Sequence, residues 1–189
     1  MLELLRWFQV THPKLKKALQ ECHHNFDDTE VNPYHIEGDC WSHTMLVCKI
    51  AELKGYDKVV QVSALLHDIG KPNSRKINPL NKHVHFFGHE EVSATMAKPL
   101  VKELTLKKIL TKDEAEEVLE LILLHSYLYR ETNPKIIYEK FKNRYKFFKH
   151  LIELSTCDNL GRFSSTIGTS VLNSQAILEK IQKNSYNLV

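Results

Sequence analysis

From residue 2 to about residue 183, apolar side chains recur three and four positions apart in one segment after another, and strict alternation is scarce. A chain with that period has apolar stripes, not apolar sheet faces, and it can bury them only against other helices. The expected fold class is therefore all-α, with about seven to nine helices. At 189 residues a single core suffices to bury roughly 70% of the unfolded surface, so one domain spanning 1–189 is the simplest organisation.

Punctuation residues set the expected boundaries. A first short helix covers 2–9, and Thr11-His12-Pro13 reads as a cap followed by an early helical proline, opening a helix to about Cys22. "NFDDTEVNPYHIEGDC" is turn-rich and leads into a helix from about Trp41 to Leu53 that Gly55 ends. The next helix runs from about Lys58 to Ile69, with Gly70 and Pro72 as its terminators, and "KPNSRKINPLNKHVHFFG" is a polar loop of the length that usually carries function. Helical period returns from His89 to about Leu104, where Pro99 predicts a kink or a break. Thr111 and the acidic residues after it open a helix that carries His125 near its end. A Pro134 turn, a shorter helix, the long helix in "KFFKHLIELSTCDNLGRF" and a last helix over about 170–183 complete the chain.

Composition removes several function classes. Hydrophobic residues at 42% and charged residues at 26% exclude a disordered chain. A formal charge of +3 is too weak to predict stable DNA binding, and it is compatible with an anionic substrate. Cys22, Cys40, Cys48 and Cys157 form no CxxC pair, so neither a zinc knuckle nor a disulfide framework is expected, and packed thiols are. The first residues, "MLELLRWFQV", carry Glu3 and Arg6 within too short an apolar run for a signal or a membrane span, which reads as a cytoplasmic protein with no membrane partner.

Eleven histidines are about twice the number average usage would give. Histidine is commonly a surface or loop residue, and His12, His23, His24 and His150 are read that way. His43, His67, Asp68, His89, His125 and Asp158 are different, because they fall on five helical segments, each near a helix end. Metal sites in helical folds are assembled in this manner, one or two ligands per helix. Imidazole with carboxylate suits Mn, Fe, Co, Ni, Zn or Mg better than a thiolate-preferring ion. At a distorted helix end the adjacent His67 and Asp68 can reach one centre, which mid-helix neighbours cannot.

The order H…HD…H…H…D resembles the HD superfamily of metal-dependent phosphohydrolases, with the core motif on His43, His67 and Asp68, and Asp158. "NPYHIEGDCWSHTMLV", "LLHDIGKP", "FFGHEEVSA" and "DNLGR" are similar to the HD domain attached to bacterial CCA-adding tRNA nucleotidyltransferases and poly(A) polymerases, over roughly residues 32–162. No strands or paired aspartates of a nucleotidyl-transfer part are legible, so only the phosphohydrolase module is expected. The resemblance implies a helical HD-domain fold and one or two divalent ions. It makes His43, His67, Asp68 and Asp158 the first ion's ligands, adds His89 and His125 for a second, and has Asp68 bridge both. It also implies a nucleotide or RNA-end substrate, with 2′,3′-cyclic phosphodiesterase and nucleoside monophosphatase activity.

Such an activity needs cations for the phosphoryl oxygens. Lys71 and Arg162 are the catalytic candidates beside Asp68, and His35, Arg75 and Arg130 are further substrate-binding candidates. Tyr127, Tyr129, Phe86 and Phe87 can stack on a base or pack in the core, and His83 and His85 can line an entrance or serve structure alone. Two other readings stay open: a hydrolase of free or signalling nucleotides, and a nucleotide-binding or sensing module without turnover. Residues 1–30 and 163–189 carry no motif and either cap the core or mediate dimerisation; oligomeric state is not legible.

Overall fold

In a computed structural model of the protein, residues 1–25, 35–162 and 176–182 are described. Helices α1 (Leu2–Thr11), α2 (Pro13–Gln20), α3 (Cys40–Leu53), α4 (Lys58–Leu66) and the single turn α5 (Lys71–Ser74) come first. A two-residue hairpin comes next, β1 (Lys76–Ile77) antiparallel to β2 (Val84–His85), with Lys76 opposite His85 and Ile77 opposite Val84. Helices α6 (His89–Leu106), α7 (Lys112–Leu124), the single turn α8 (Tyr127–Arg130), α9 (Pro134–Phe141) and α10 (Tyr145–Leu160) complete the named elements, and 176–182 is helical. The all-α expectation holds.

Helix α4 is the axis of the packing. Its sequence, KVVQVSALL, is apolar around nearly its whole circumference, and Val59, Val60, Val62, Ser63, Ala64, Leu65 and Leu66 are all buried. A helix apolar on every side can satisfy itself only in the middle of a protein, and α4 is surrounded by α3, α7 and α10. Each buried Val or Leu contributes about 1.5–3 kcal/mol. Asp57 fixes where α4 starts, its carboxylate accepting from the amides of Val59 and Val60 at 3.0 and 3.2 Å. The chain leaving Leu66 is therefore delivered into the interior, and its next two residues are His67 and Asp68.

The flanking helices obey the same logic. Asp39 caps α3 by accepting from the Ser42 amide at 2.9 Å, and Cys40, His43, Thr44, Val47 and Ala51 then share the buried face. Thr111 and Glu114 form a reciprocal capping box at α7, which buries Val118, Leu121 and Ile122 and ends at His125. Helix α10 buries Phe148, Leu151, Leu154, Ser155 and Asp158. The amino-terminal helices cap this core: Phe8 stacks on Trp41 with ring centroids 5.9 Å apart, and Trp7 Nε1 donates to Glu103 at 2.7 Å.

Several expected boundaries are corrected. Helix α4 stops at Leu66, so His67 and Asp68 lie in the turn beyond it, and Pro72 starts α5 where a terminator was expected. Gly70 has φ −85° and ends nothing by left-handed geometry; it is small because α6 crosses there. A Cβ at that position would meet Ser93 N at 2.5 Å and His89 O at 2.8 Å. Thr11 does not cap α2, because its hydroxyl donates back to Trp7 O at 2.7 Å. The polar stretch 71–88 holds α5 and the hairpin, and α6 continues through Pro99 without interruption. Most of the expected loop before α3 (residues 26–34) and the first residues of the expected last helix lie outside the described residues.

Candidate metal centre

Three helix ends and two helix starts meet at one point. His43 comes from the first turn of α3, His67 and Asp68 from the turn after α4, His89 from the start of α6, His125 from the C-cap of α7 and Asp158 from the last turn of α10. His43, His67, Asp68, His125 and Asp158 are at most 3% exposed. His43 Nε2 is 3.0 Å from Asp158 Oδ1 and 3.7 Å from Asp68 Oδ2, while His67 Nε2 is 3.2 Å from Asp68 Oδ2. On the other side, His89 Nε2 and His125 Nε2 lie 3.3 and 3.7 Å from Asp68 Oδ1. One Asp68 oxygen thus faces His43 and His67, the other His89 and His125. The side-chain groups His43–His67–Asp68 and Asp68–His89–His125 share that carboxylate.

The orientation of each ring is fixed from behind. Nδ1 of His67, His89 and His125 lies 2.9, 2.8 and 2.7 Å from the carbonyl oxygens of Ala64, Phe86 and Ile122. A carbonyl only accepts, so each Nδ1 carries a proton, and in the neutral ring it is the Nε2 lone pair that faces the centre. His43 stands in the first turn of its helix and has the Glu37 carboxylate behind it instead, Nδ1 lying 3.0 Å from Oε1 as a charge contact without the alignment of a hydrogen bond. The same Glu37 oxygen is 2.7 Å from His35 Nδ1.

This donor set fits a divalent cation. Nε2 of His89 and His125 face each other at 3.1 Å, a separation at which a proton on one ring or a cation beside both must keep the two lone pairs from opposing each other. Among the described residues, His43 Nδ1, His67 Nε2 and Asp68 Oδ1 are buried without a hydrogen bond of acceptable geometry, while Asp68 Oδ2 has the Lys71 ammonium at 2.7 Å; buried polar atoms left without a hydrogen bond are costly. Burial pushes the Asp68 and Asp158 carboxyls up, but the charges of His67 and Lys71 around the first and of Arg162 and His43 around the second outweigh it, so both are held well below the usual carboxylate range. Burial also drags His125 down to about 4. Burial pulls His43 and His89 down as well, but the carboxylates of Asp158 and Glu37 beside the first and of Asp68 beside the second outweigh it and raise both, so the centre offers anionic oxygen and, at His125, neutral imidazole, ligand forms a hard or borderline metal takes.

A cleft of about 330 Å³ opens above, floored by Asp68, His89, His125 and Asp158; His43 and His67 lie beneath, fully buried. Lys71 lines it with its ammonium 2.7 Å from Asp68 Oδ2. Arg162 lines it too, anchored by Nη2 to Asp158 Oδ2 at 2.6 Å and lying over the Tyr129 ring at 4.7 Å. Arg130 stands at the rim beside Glu90, and His35 is on the wall, stacked on His24 with centroids 3.9 Å apart. Arg75 is turned elsewhere, donating to the carbonyls of His23 and Asn25. Phe86, Phe87 and Tyr129 line the cleft, whereas Tyr127 packs on Phe141. His83 and His85 are not among its lining residues.

Two surface readings fail. His24, 1% exposed, sits behind the cleft with Nε2 3.3 Å from Lys71 Nζ. His150, 2% exposed, ties α10 to α7 and to the cap of α4, with Nδ1 2.6 Å from Glu117 and Nε2 2.9 Å from Asp57. Glu37 and Glu90 were not singled out by sequence either. Glu37 lies two residues after His35 in the stretch that carries the resemblance, the one signal that pointed to it; Glu90 comes directly after His89 and is held by the Ser126 hydroxyl.

A profile of the HD domain family matches residues 40–154, so the chain belongs to that family of metal-dependent phosphohydrolases. Among curated proteins it is similar to the Multifunctional CCA protein of Methylobacillus flagellatus, 37% identical over 101 residues, 52% of this chain and 24% of that one. It is likewise similar to the Multifunctional CCA proteins of Burkholderia cenocepacia, 39% identical over 71 residues covering 38% and 16% of the two chains, and of Burkholderia pseudomallei, 34% over 90 residues covering 48% and 21%. The matched region spans about a quarter or less of these relatives. No described helix is long and apolar enough to cross a membrane.

Proposed function

We propose that the chain hydrolyses phosphoesters of nucleotides or RNA ends, acting as a 2′,3′-cyclic phosphodiesterase and a nucleoside monophosphatase. The observation that carries this reading is Asp68, a buried carboxylate whose two oxygens face two separate histidine pairs on the floor of a cleft lined by three cations, Lys71, Arg130 and Arg162. The relatives' name, Multifunctional CCA protein, and the likeness of the motif segments to HD domains of tRNA-end enzymes support the RNA-end form of the substrate.

In this reading His43, His67, Asp68 and Asp158 hold one ion, and Asp68, His89 and His125 hold a second. When bound, a divalent ion supplies an acidified water as nucleophile at neutral pH and positive charge for the phosphoryl oxygens. The side chains do the rest. Nδ1 donors behind each ring keep the Nε2 atoms aimed inward, and such backing groups set both ligand direction and basicity. Lys71 and Arg162 present N–H donors where charge accumulates on the phosphoryl group, Arg162 with a planar fork already held by Asp158 and Tyr129. Attack on a cyclic phosphate forms one P–O bond, breaks one ribose P–O bond and leaves a hydroxyl after proton uptake by the freed oxygen.

The test is elemental analysis of the purified protein combined with hydrolysis of 2′,3′-cyclic AMP, the AMP isomers and diadenosine tetraphosphate across Mn, Ni, Co and Mg. Cyclic-phosphate turnover with near two ions per chain is the expected result. Turnover confined to diadenosine tetraphosphate or 5′-AMP would replace the RNA-end reading by a free-nucleotide one, and bound nucleotide with no turnover by a sensing role.

A further inference from the structure

We propose that Phe87 is a stacking platform for the base of the substrate, which restricts the substrate to phosphoesters carrying an unpaired nucleobase. This rests on the hydrolase reading and adds a base subsite to it.

The neighbouring rings Phe86 and Phe87 have opposite fates. Phe86 is half buried, with its ring 5.5 Å from His24 and 5.3 Å from the Lys71 ammonium. Phe87 is 79% exposed and lines the mouth of the cleft. Single exposed apolar residues are ordinary; the surroundings of this one are not. Its ring lies nearly parallel to the His85 imidazole, at 12° with centroids 5.1 Å apart, so one face is already backed by an aromatic ring and the other is left for a ligand. Only Gly88 separates it from His89, a distance of no more than about 7 Å between Cα atoms. The link is also stiff: Phe86 O accepts from both the amide and Nδ1 of His89, and Gly88 turns the chain at φ 73°. The backbone that carries the platform is thereby tied to His89 on the floor of the cleft.

The chemistry around Phe87 also says what is not read. Its chain neighbours Phe86 and Gly88, which also line the cleft, have no side-chain donor or acceptor for a base edge. Stacking without edge contacts is tolerant of base identity, because every base has a π face, and it requires that face to be free of a paired helix. Adenine and cytosine substrates should therefore behave alike, and a 3′ end should be accepted only as single strand.

The experiment compares KM and kcat of wild type, Phe87→Ala and Phe87→Trp on 2′,3′-cyclic AMP, 2′,3′-cyclic CMP and the base-free glycerol 1,2-cyclic phosphate. Quenching of a 2-aminopurine nucleoside monophosphate is followed in parallel as a binding readout that needs no turnover. Loss of a stacking partner should raise KM for both nucleotides by about tenfold to a hundredfold relative to the base-free ester, abolish the quenching, and be rescued by Trp. Equal effects on all three esters, or no effect, would overturn the platform. Phe87-dependent quenching without hydrolysis would keep the platform and remove the hydrolase; hydrolysis with Phe87-independent quenching would do the reverse.

Discussion

Replacing Gly70 by Ala should damage both stability and the second half of the candidate centre. The added Cβ would lie 2.5 Å from Ser93 N, 2.8 Å from His89 O and 2.9 Å from Ser93 Oγ, against an ordinary contact distance of about 3.5 Å. Two of those atoms are α6 backbone, so no rotamer change relieves the clash; the turn and α6 must separate by close to 1 Å. Overpacking of this kind costs about 1–3 kcal/mol, and the Gly70 N–H to Ser93 Oγ bond of 2.9 Å would add about 1 kcal/mol if it broke. For a chain of this size a total near 2–4 kcal/mol lowers Tm by roughly 4–16 °C. His89 O is one of the displaced atoms, so His89 Nε2 should draw away from Asp68 and metal binding on that side should weaken. Thermal melts by circular dichroism and a Mn titration read both effects. Ser93→Ala is the control, losing the hydrogen bond without the clash and falling by only about 1 kcal/mol. A Gly70→Ala protein that melted within about 1 °C of wild type would show that α6 does not approach the turn closely enough to exclude a methyl group.

Four further substitutions test the centre itself. His67→Ala or Asp68→Ala should lose bound metal in elemental analysis and all phosphoester turnover while keeping the helical spectrum, and full activity in either would sink the metal mechanism. Glu37→Gln removes the carboxylate behind His43 and should weaken metal affinity by about 10- to 100-fold; an unchanged affinity would reduce Glu37 to packing. Lys71→Ala should raise KM or lower kcat while metal stays bound, since the ammonium beside Asp68 competes with a cation for the same carboxylate, and loss of metal in that variant would mean Lys71 builds the site.

The readable part of the site lay in residues whose side chains announce their chemistry at positions that helix punctuation makes special. His43 sits just inside an Asp39 cap, His125 ends a helix opened by a Thr111 capping box, and His67-Asp68 directly follows α4, a helix apolar on nearly every side. The groups that went unread act on other side chains. Glu37 is a glutamate like any other until its oxygen is found between two imidazoles, and His24 belongs to a segment with no motif yet lies against Lys71. Arg162, four residues after Asp158, is the stronger candidate in the sequence and reaches the cleft, whereas Arg75, the weaker one, reaches main-chain carbonyls. Pro99 and Gly70 mislead for a related reason, because packing between helices overrides the local preference of each.

Periodicity, caps and the order of histidines and aspartates are local quantities, carried by residues within a few positions of one another, and from them the sequence by itself determined an all-helical chain whose metal-competent residues sit at helix ends. Which oxygen of Asp68 faces which pair of rings, what holds each ring from behind and which cations reach the cleft depend on contacts such as His43 to Asp158, 115 residues apart. Those were decided only when the buried helix α4 drew α3, α7 and α10 around itself, because side-chain direction at a convergent site is set by how whole helices pack and not by the residues beside it in the chain.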